Sequence, residues 1–312
     1  MTDHFLVERD GPTALLTFNR PDARNSMTFE MYEALHDACA TLDTDPAVRA
    51  VIVRGAGDKA FASGTDIRQF LDFETRQDAL DYEARLTRVL SKLAGMSKPT
   101  IAMLQGDAIG GGLFIALACD LRLAAPHARF GIPVARTLGN FLAPVSLTLL
   151  VSVLGPNRAR EIVLTARLLD AQEAKTIGLI DRVHPAPELE SRTRELAAGL
   201  AELAPLTIAA TKEATRRMLA VLAPRDLDDL ILSCYLSRDF HEGVRSFLES
   251  ESLTGRGADR CSGVKVVRTI EGRSERNRSR LVGGAPERSA LRAVEASAGR
   301  SSDLNPARRT ST

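Results

Sequence analysis

The chain has 312 residues, 44% of them hydrophobic, enough for one large domain or two smaller ones around a sizeable core. Its net charge of +1 gives no sign of a nucleic-acid or membrane partner, and no uninterrupted apolar run nears the roughly 20 residues that span a bilayer. The four cysteines, Cys39, Cys119, Cys234 and Cys261, are widely scattered without metal-type pairing and read as free thiols of a reducing cytosol.

Residues 4–9 and 13–19 alternate or run apolar around Asp10, Gly11 and Pro12, which predicts a β-hairpin. Thr28–Leu42 has helical spacing, with Met31, Leu35 and Ala38 on one side, and the segment from Asp43 to Pro46 ends it. Val48–Val53 reads as a buried strand. It leads to a glycine turn within Lys59–Ile67 and a helix-like stretch, Arg68–Phe73. Asp78–Ala94 is amphipathic, with Leu80, Leu86, Val89, Leu90 and Leu93 mainly three and four residues apart. Pro99–Leu104 reads as a strand, Gly106–Gly112 as a second glycine turn and Leu113–Ala118 as a helix. A strand at Asp120–Ala124 and helices at Leu147–Leu154 and Asn157–Thr165, around Gly155 and Pro156, come next. Ile180–Val183 is a short strand, and residues 188–250 are almost wholly helical. Strands alternating with helices imply an α/β core with parallel pairings, followed by a helical region.

After Thr254 the composition changes. Residues 255–312 hold 13 Lys and Arg against 6 Asp and Glu, while the remainder is net acidic. This segment reads as a disordered basic tail, with contact to an acidic partner as the alternative. The polar N-terminus shows no basic-then-apolar targeting pattern, so a cytoplasmic location is expected.

The chemistry concentrates in the two glycine turns. Gly110, Gly111 and Gly112 stand in a row at a strand-to-helix junction. There the backbone is bare, and its unpaired N–H groups lie at the positive end of a helix dipole. Such a place binds an anion or an oxygen that becomes one during reaction. The upstream turn at Ser63, Gly64 and Thr65 has the same flanking pattern, so the pair can aim two donors at one oxygen. The alternative is that both turns only close the fold. No Ser–His–Asp set and no metal-ligand spacing appears, and His127 reads as a surface residue.

The segment Ala60–Asp66 resembles the A-F-x-A-G-x-D stretch of the enoyl-CoA hydratase/isomerase (crotonase) superfamily, and Gly106–Gly112 resembles its G-x-A-x-G-G-G stretch. Asn19–Ser26 is similar to the family's N-R-P-x-x-x-N-A segment. Ala118–Arg122, Arg129–Pro133, Ala210–Ala214 and Ser237–Gly243 match later landmarks in order, so the resemblance covers residues 4 to about 254. It implies a crotonase-like spiral of ββα units over residues 1–187 and a helical oligomerisation region over 188–254, with the tail over 255–312 lying outside the resemblance. It also implies an acyl-CoA thioester substrate, as in fatty acid metabolism, with coenzyme A present as part of the substrate and no tightly bound cofactor. A homotrimer or dimer of trimers is expected.

Carried over by position, the resemblance assigns the backbone N–H groups of Thr65 and Gly111 to an oxyanion hole. Ala62, Gly64, Gly110, Ile67 and Arg68 are expected around the coenzyme, and Asp66 is expected to fix its turn. Arg24 either meets phosphates or is solvated. The chain departs from the family where hydratases carry two glutamates, because those positions are Phe114 and Val134. Neither moves a proton, so ordinary hydration is not expected. Candidate proton carriers are Asp107 and, on the helix that borders the pocket in this family, Tyr82, Glu83 and Asp81, whose charges otherwise belong to its solvated face. Arg136 and Asn140, four residues apart, either hold a substrate group or form a structural turn. The family often has a basic stretch after F-L-E, but here Phe247–Glu249 is followed by Ser250, Glu251 and Ser252. A non-catalytic acyl-CoA-binding subunit is the rival reading, and hydrolase, decarboxylase or isomerase chemistry through other residues is a third.

Overall fold

The computed structural model describes residues 3–222 and 227–254. The expected tail and Cys261 lie outside these residues.

The chain opens with β1 (Phe5–Asp10) and β2 (Thr13–Phe18), an antiparallel hairpin in register from Phe5 opposite Phe18. Gly11 turns it at φ 57°, a conformation that favours glycine. Helix α1 (Phe29–Thr44) is capped by Thr28, whose side chain accepts from the Met31 N–H. Then come β3 (Ala50–Gly55), β4 (Ala60–Ala62) and α2 (Arg76–Ala94). Helix α2 starts at a reciprocal capping box between Thr75 and Asp78. The middle of the chain holds β5 (Thr100–Leu104), β6 (Asp107–Ile109), α3 (Gly111–Ala118), β7 (Leu121–Ala124) and β8 (Arg129–Gly131). It continues through α4 (Pro144–Thr165), β9 (Leu168–Asp170), α5 (Ala171–Thr176) and β10 (Arg182–Val183). Four helices end the described chain: α6 (Ala186–Ala201), α7 (Pro205–Leu222), α8 (Asp228–Tyr235) and α9 (Arg238–Thr254).

Two sheets form, in the orders β1-β2-β3-β5-β7-β10 and β4-β6-β8-β9. Each passage from β3 to β4, β5 to β6 and β7 to β8 leaves the larger sheet for the smaller one. The successive strands stack parallel in both sheets. This is the repeated ββα turn that the family resemblance implies.

The pleat sorts the side chains of the larger sheet. Ala14, Leu16, Phe18, Val51, Val53, Ala102 and Leu104 face the main core. Leu15, Ala50, Ile52, Ile101 and Met103 face a second core, closed by Leu189 and Ala197 of α6. Burial on both faces explains why β2 and β3 read as apolar runs rather than alternating ones.

Several expectations shift. The helix-like Arg68–Phe73 is a single 3-10 turn, Ile67–Phe70. The segment is too short to nucleate a helix, and the chain must then reach the Thr75 cap. The strand expected from Val48 begins at Ala50, although Val48 is buried. Gly106–Gly112 is not all turn, because β6 occupies its centre. The helices expected around Gly155 belong to one long element that kinks there, with Gly155 at φ 71° and ψ 164°. Among the described residues, no helix is long and apolar enough to cross a membrane. Cys39 and Cys119 are buried free thiols, and burial raises the Cys39 thiol to about 12.

Candidate active site

The two glycine turns meet. A Cβ built on Gly64 would lie 3.6 Å from the Gly111 amide nitrogen, and one built on Gly111 would lie 3.6 Å from the Thr65 amide nitrogen. Gly64 stands at φ 102° and Gly110 at φ 53°, so both turns need residues without a side chain. Neither the Thr65 nor the Gly111 N–H finds an acceptor among the described residues. Gly111 opens α3, whose first-turn amides have no intrahelical partner.

Other contacts hold this arrangement. Met27 donates its N–H to Gly64 O and Asp66 donates its N–H to Met27 O, clamping Thr65 between them. Asn25, fully buried, donates to Ala56 O at 3.0 Å and Ala60 O at 2.7 Å and accepts from the Arg20 N–H at 2.9 Å. Gly110 donates its N–H to Gly131 O. Asp66 caps the 3-10 turn through the Arg68 N–H and pairs with Arg20 and Arg68. Burial pushes its carboxyl up, but hydrogen bonds from Arg68 and Arg20 outweigh this and hold it below the usual carboxylate range. Asp66 is thus engaged within its own turn.

Asp107, one of the expected proton carriers, is held in ion pairs. It is 6% exposed and takes two side-chain hydrogen bonds from Arg129, at 3.1 and 2.7 Å, and one from the Arg129 N–H. Arg24, in a left-handed conformation at φ 51°, reaches the same carboxylate at 3.7 Å. With its oxygens engaged, Asp107 ties β6 to β8.

Tyr82 is brought to the turn. Its hydroxyl lies 2.7 Å from Thr65 Oγ1, and the Tyr32 hydroxyl lies 2.9 Å from the same atom. Burial raises both phenols, so they stay protonated and serve as hydrogen-bonding groups rather than bases near neutral pH. Tyr32 has no counterpart in the sequence reading. Its apolar, helix-spaced surroundings mark it only as core.

Asn140 and Arg136 part company. Asn140 donates from Nδ2 to the Tyr235 hydroxyl at 3.1 Å. The Arg136 guanidinium has no hydrogen-bond partner among the described residues, and its backbone N–H closes the turn at Pro133. Asp81 is exposed and bonded to Gln77, and His127 is an exposed residue beside Asp58 O. Two surface cavities, lined by Arg182, His184 and Glu188 and by Arg54, Gln105 and Glu190, include no residue of the two glycine turns at Gly64 and Gly110.

Phe114 is 3% exposed and Val134 half-buried, both within the main core. A chain of rings from Phe70, Phe73, Tyr82, Tyr235 and Phe240 lies in or against the same core, with neighbouring centroids 4.8–6.4 Å apart. Glu83 sits in this dry region, 3% exposed, with Oε1 accepting from the Tyr235 hydroxyl at 2.5 Å. Burial raises its carboxyl to about 8, against weaker lowering by Tyr235 and the Ala143 backbone.

A buried acid with a raised pKa binds its proton more tightly folded than unfolded. Its contribution to stability is therefore greatest below the unfolded value near 4.5 and is lost as pH rises towards 8. Wild-type protein is expected to lose thermal midpoint across that window, and Glu83→Gln to flatten the loss. An unchanged pH slope in the variant would refute the assignment.

The sequence pattern of the enoyl-CoA hydratase/isomerase family matches residues 8–254. A probable enoyl-CoA hydratase of Mycobacterium bovis is 34% identical over 250 residues, covering 79% of this chain and 95% of its own. The crystal structure of an enoyl-CoA hydratase/carnithine racemase from Magnetospirillum magneticum superposes with a TM-score of 0.67 at 32% identity, covering 80% of this chain and 94% of that one. A monofunctional enoyl-CoA isomerase from M. smegmatis is 34% identical with a TM-score of 0.59, over 73% of this chain and 97% of that one. The order of strands, the paired glycine turns and these matches place the chain in one group: it belongs to the enoyl-CoA hydratase/isomerase family.

Proposed function

We propose that the protein binds an acyl-CoA thioester and stabilises its enolate with the N–H groups of Thr65 and Gly111, without the family's two-glutamate hydration chemistry. The observation that carries this reading is the approach of the two glycine turns with both amides unpaired. Arg24 and Arg68 flank the same turns and suit the phosphates of coenzyme A, with Ala62, Gly64, Gly110 and Ile67 along the pantetheine. Phe114 and Val134 leave no carboxylate at the two positions where the family's hydratases carry glutamate.

The test is hydration of crotonyl-CoA. Wild type is expected to bind the thioester and hydrate it negligibly. Phe114→Glu combined with Val134→Glu is expected to raise hydration by about 10²-fold or more, with folding checked by circular dichroism. Robust hydration by wild type, lost in a folded Gly111→Pro variant that lacks the donor N–H, would overturn the carboxylate argument.

A homotrimer or dimer of trimers in the cytoplasm completes the proposal. Helix α7 supports it by exposing Leu206, Met218 and Val221 at 83%, 72% and 84%. Light scattering is expected to give a trimer or hexamer mass, and Leu206→Glu with Met218→Glu to lower it. A monomeric wild type would refute this assembly.

A further inference from the structure

The thioester reading leaves the proton carrier unassigned, since Phe114 and Val134 are apolar and Asp107 is ion-paired. Glu83 differs from every other carboxylate near the turns. It lies on the apolar stripe of α2, between Ala79 and Leu86, at the residue after the one that touches Thr65. Its Oε1 is bonded to Tyr235, which in turn accepts from Asn140. Its Oε2 is buried and has no hydrogen-bond partner among the described residues, although the Ala143 backbone is near enough to the carboxyl to lower it. Asn140 Oδ1, on the residue bonded to Tyr235, and Ser146 Oγ, one turn beyond Ala143, are also buried and unpartnered. Buried polar atoms are rarely left so, and three on segments converging around one carboxyl mark a place built for a further group.

We infer that Glu83 is the proton-transfer residue of this site, with Oε2 as the atom that carries the proton and Tyr235 and Asn140 as its positioning residues. The inference rests on the acyl-CoA reading. As a carboxylate, Glu83 takes the proton from the carbon next to the thioester carbonyl. The C–H electron pair becomes the enolate double bond, and the negative charge passes to the thioester oxygen held by Thr65 and Gly111. The proton returns from Glu83 either to the same carbon or to the far end of a conjugated acyl chain. In the first route the hydrogen is replaced by one from solvent only when the Glu83 carboxyl trades its proton with solvent while the enolate is held, and the second moves a double bond. Neither consumes water or needs a second carboxylate, which suits a region whose core residues include Phe70 and Phe114.

The groups around Glu83 are few. Its charge acts on Tyr32 of α1, Tyr82 of α2 and Tyr235 of α8, raising each phenol. Helix α3 and the stretch of α4 from Pro144 to Leu154 bring no titratable side chain. Arg85 and Arg88 are paired with Glu33.

The experiment incubates the full-length protein with butyryl-CoA in D2O and follows deuterium at the α-carbon by mass spectrometry, with binding measured by calorimetry. Wild type is expected to exchange the α-hydrogen. Glu83→Gln is expected to lose about 10²-fold or more of the exchange rate while binding butyryl-CoA within about threefold of wild type. Unmodified protein gives a second measure, because the exchange rate should rise with pH and level off above about 8. Tyr235→Phe should move that inflection upward, since the Tyr235 hydrogen bond holds the Glu83 carboxyl down. Exchange in folded Glu83→Gln within a few-fold of wild type overturns the inference, as does binding without exchange by wild type. Wild type that fails to bind butyryl-CoA overturns the thioester reading itself, and this inference with it.

Discussion

Replacing Asn25 by alanine lowers the unfolding free energy by about 3–5 kcal/mol, read as a shift in the urea midpoint. The side chain is fully buried and serves one backbone donor and two backbone acceptors, Arg20 N–H, Ala56 O and Ala60 O. Each lost hydrogen bond removes about 1 kcal/mol, and leaving buried backbone groups unpaired adds to that. Ala60 O keeps a longer bond from Gln105 at 3.2 Å, so its loss is partial. Asn25 also stands in the left-handed region at φ 54°, which alanine tolerates less well than asparagine. Asn25→Gly separates the two effects. It lacks the same hydrogen bonds but relieves the backbone, and should recover about 1 kcal/mol of the loss. Because Asn25 ties Ala56 to Ala60, its removal loosens the strand that leads into Thr65. Thioester affinity should fall with stability. An alanine variant within about 1 kcal/mol of wild type would refute this account of the turn.

The long elements were legible because their periodicity is strong. Helix α2 carries Leu86, Val89, Leu90 and Leu93 on one stripe, and β2, β3 and β5 are continuous apolar runs. The smaller sheet was not legible as strands. β4, β6, β8 and β9 have three residues each, too few to show any period, and their pairing comes from the spiral rather than from local sequence. The glycine turns were legible for a different reason. A positive φ at Gly64 and Gly110 leaves few substitutes, so geometry writes itself into residue type.

Charged residues were the harder case. Asp107 within a glycine-rich segment reads as a candidate proton carrier, and only the fold reveals Arg129 on the neighbouring strand β8. Glu83 carried a signal, since it interrupts an apolar helical stripe. Its partner Tyr235 is 152 positions distant, and no local pattern joins them. The hydroxyl contacts of Tyr32 and Tyr82 with Thr65 likewise depend on helices α1 and α2 packing over the turn. Elements follow from local rules, whereas the chemistry of a site follows from which elements the topology brings together.

Gly112→Ala and Gly199→Ala should have opposite signs, although both add one methyl group to a helix. A Cβ on Gly112 would lie 2.1 Å from Ala62 O, 2.7 Å from Ala62 C and 2.8 Å from Ala62 Cβ. Two of these are backbone atoms of β4, so no side-chain rotation relieves the clash. The start of α3 must move away from β4, and that movement separates Gly111 from Thr65. Overpacking of this kind costs about 3 kcal/mol or more where the backbone must yield, and the Gly112 variant should also lose enolate stabilisation. One displaced oxyanion donor corresponds to about 10²–10³-fold in rate, so α-hydrogen exchange of butyryl-CoA should fall by at least that factor. Gly199 sits exposed in α6, with nothing within 4 Å of its built Cβ. There alanine removes backbone freedom from the unfolded chain and should stabilise by up to about 1 kcal/mol. Thermal unfolding of the two variants beside wild type decides the matter. If Gly112→Ala melts with wild type and keeps its exchange rate, the close approach of α3 to β4 does not hold the two donors in place.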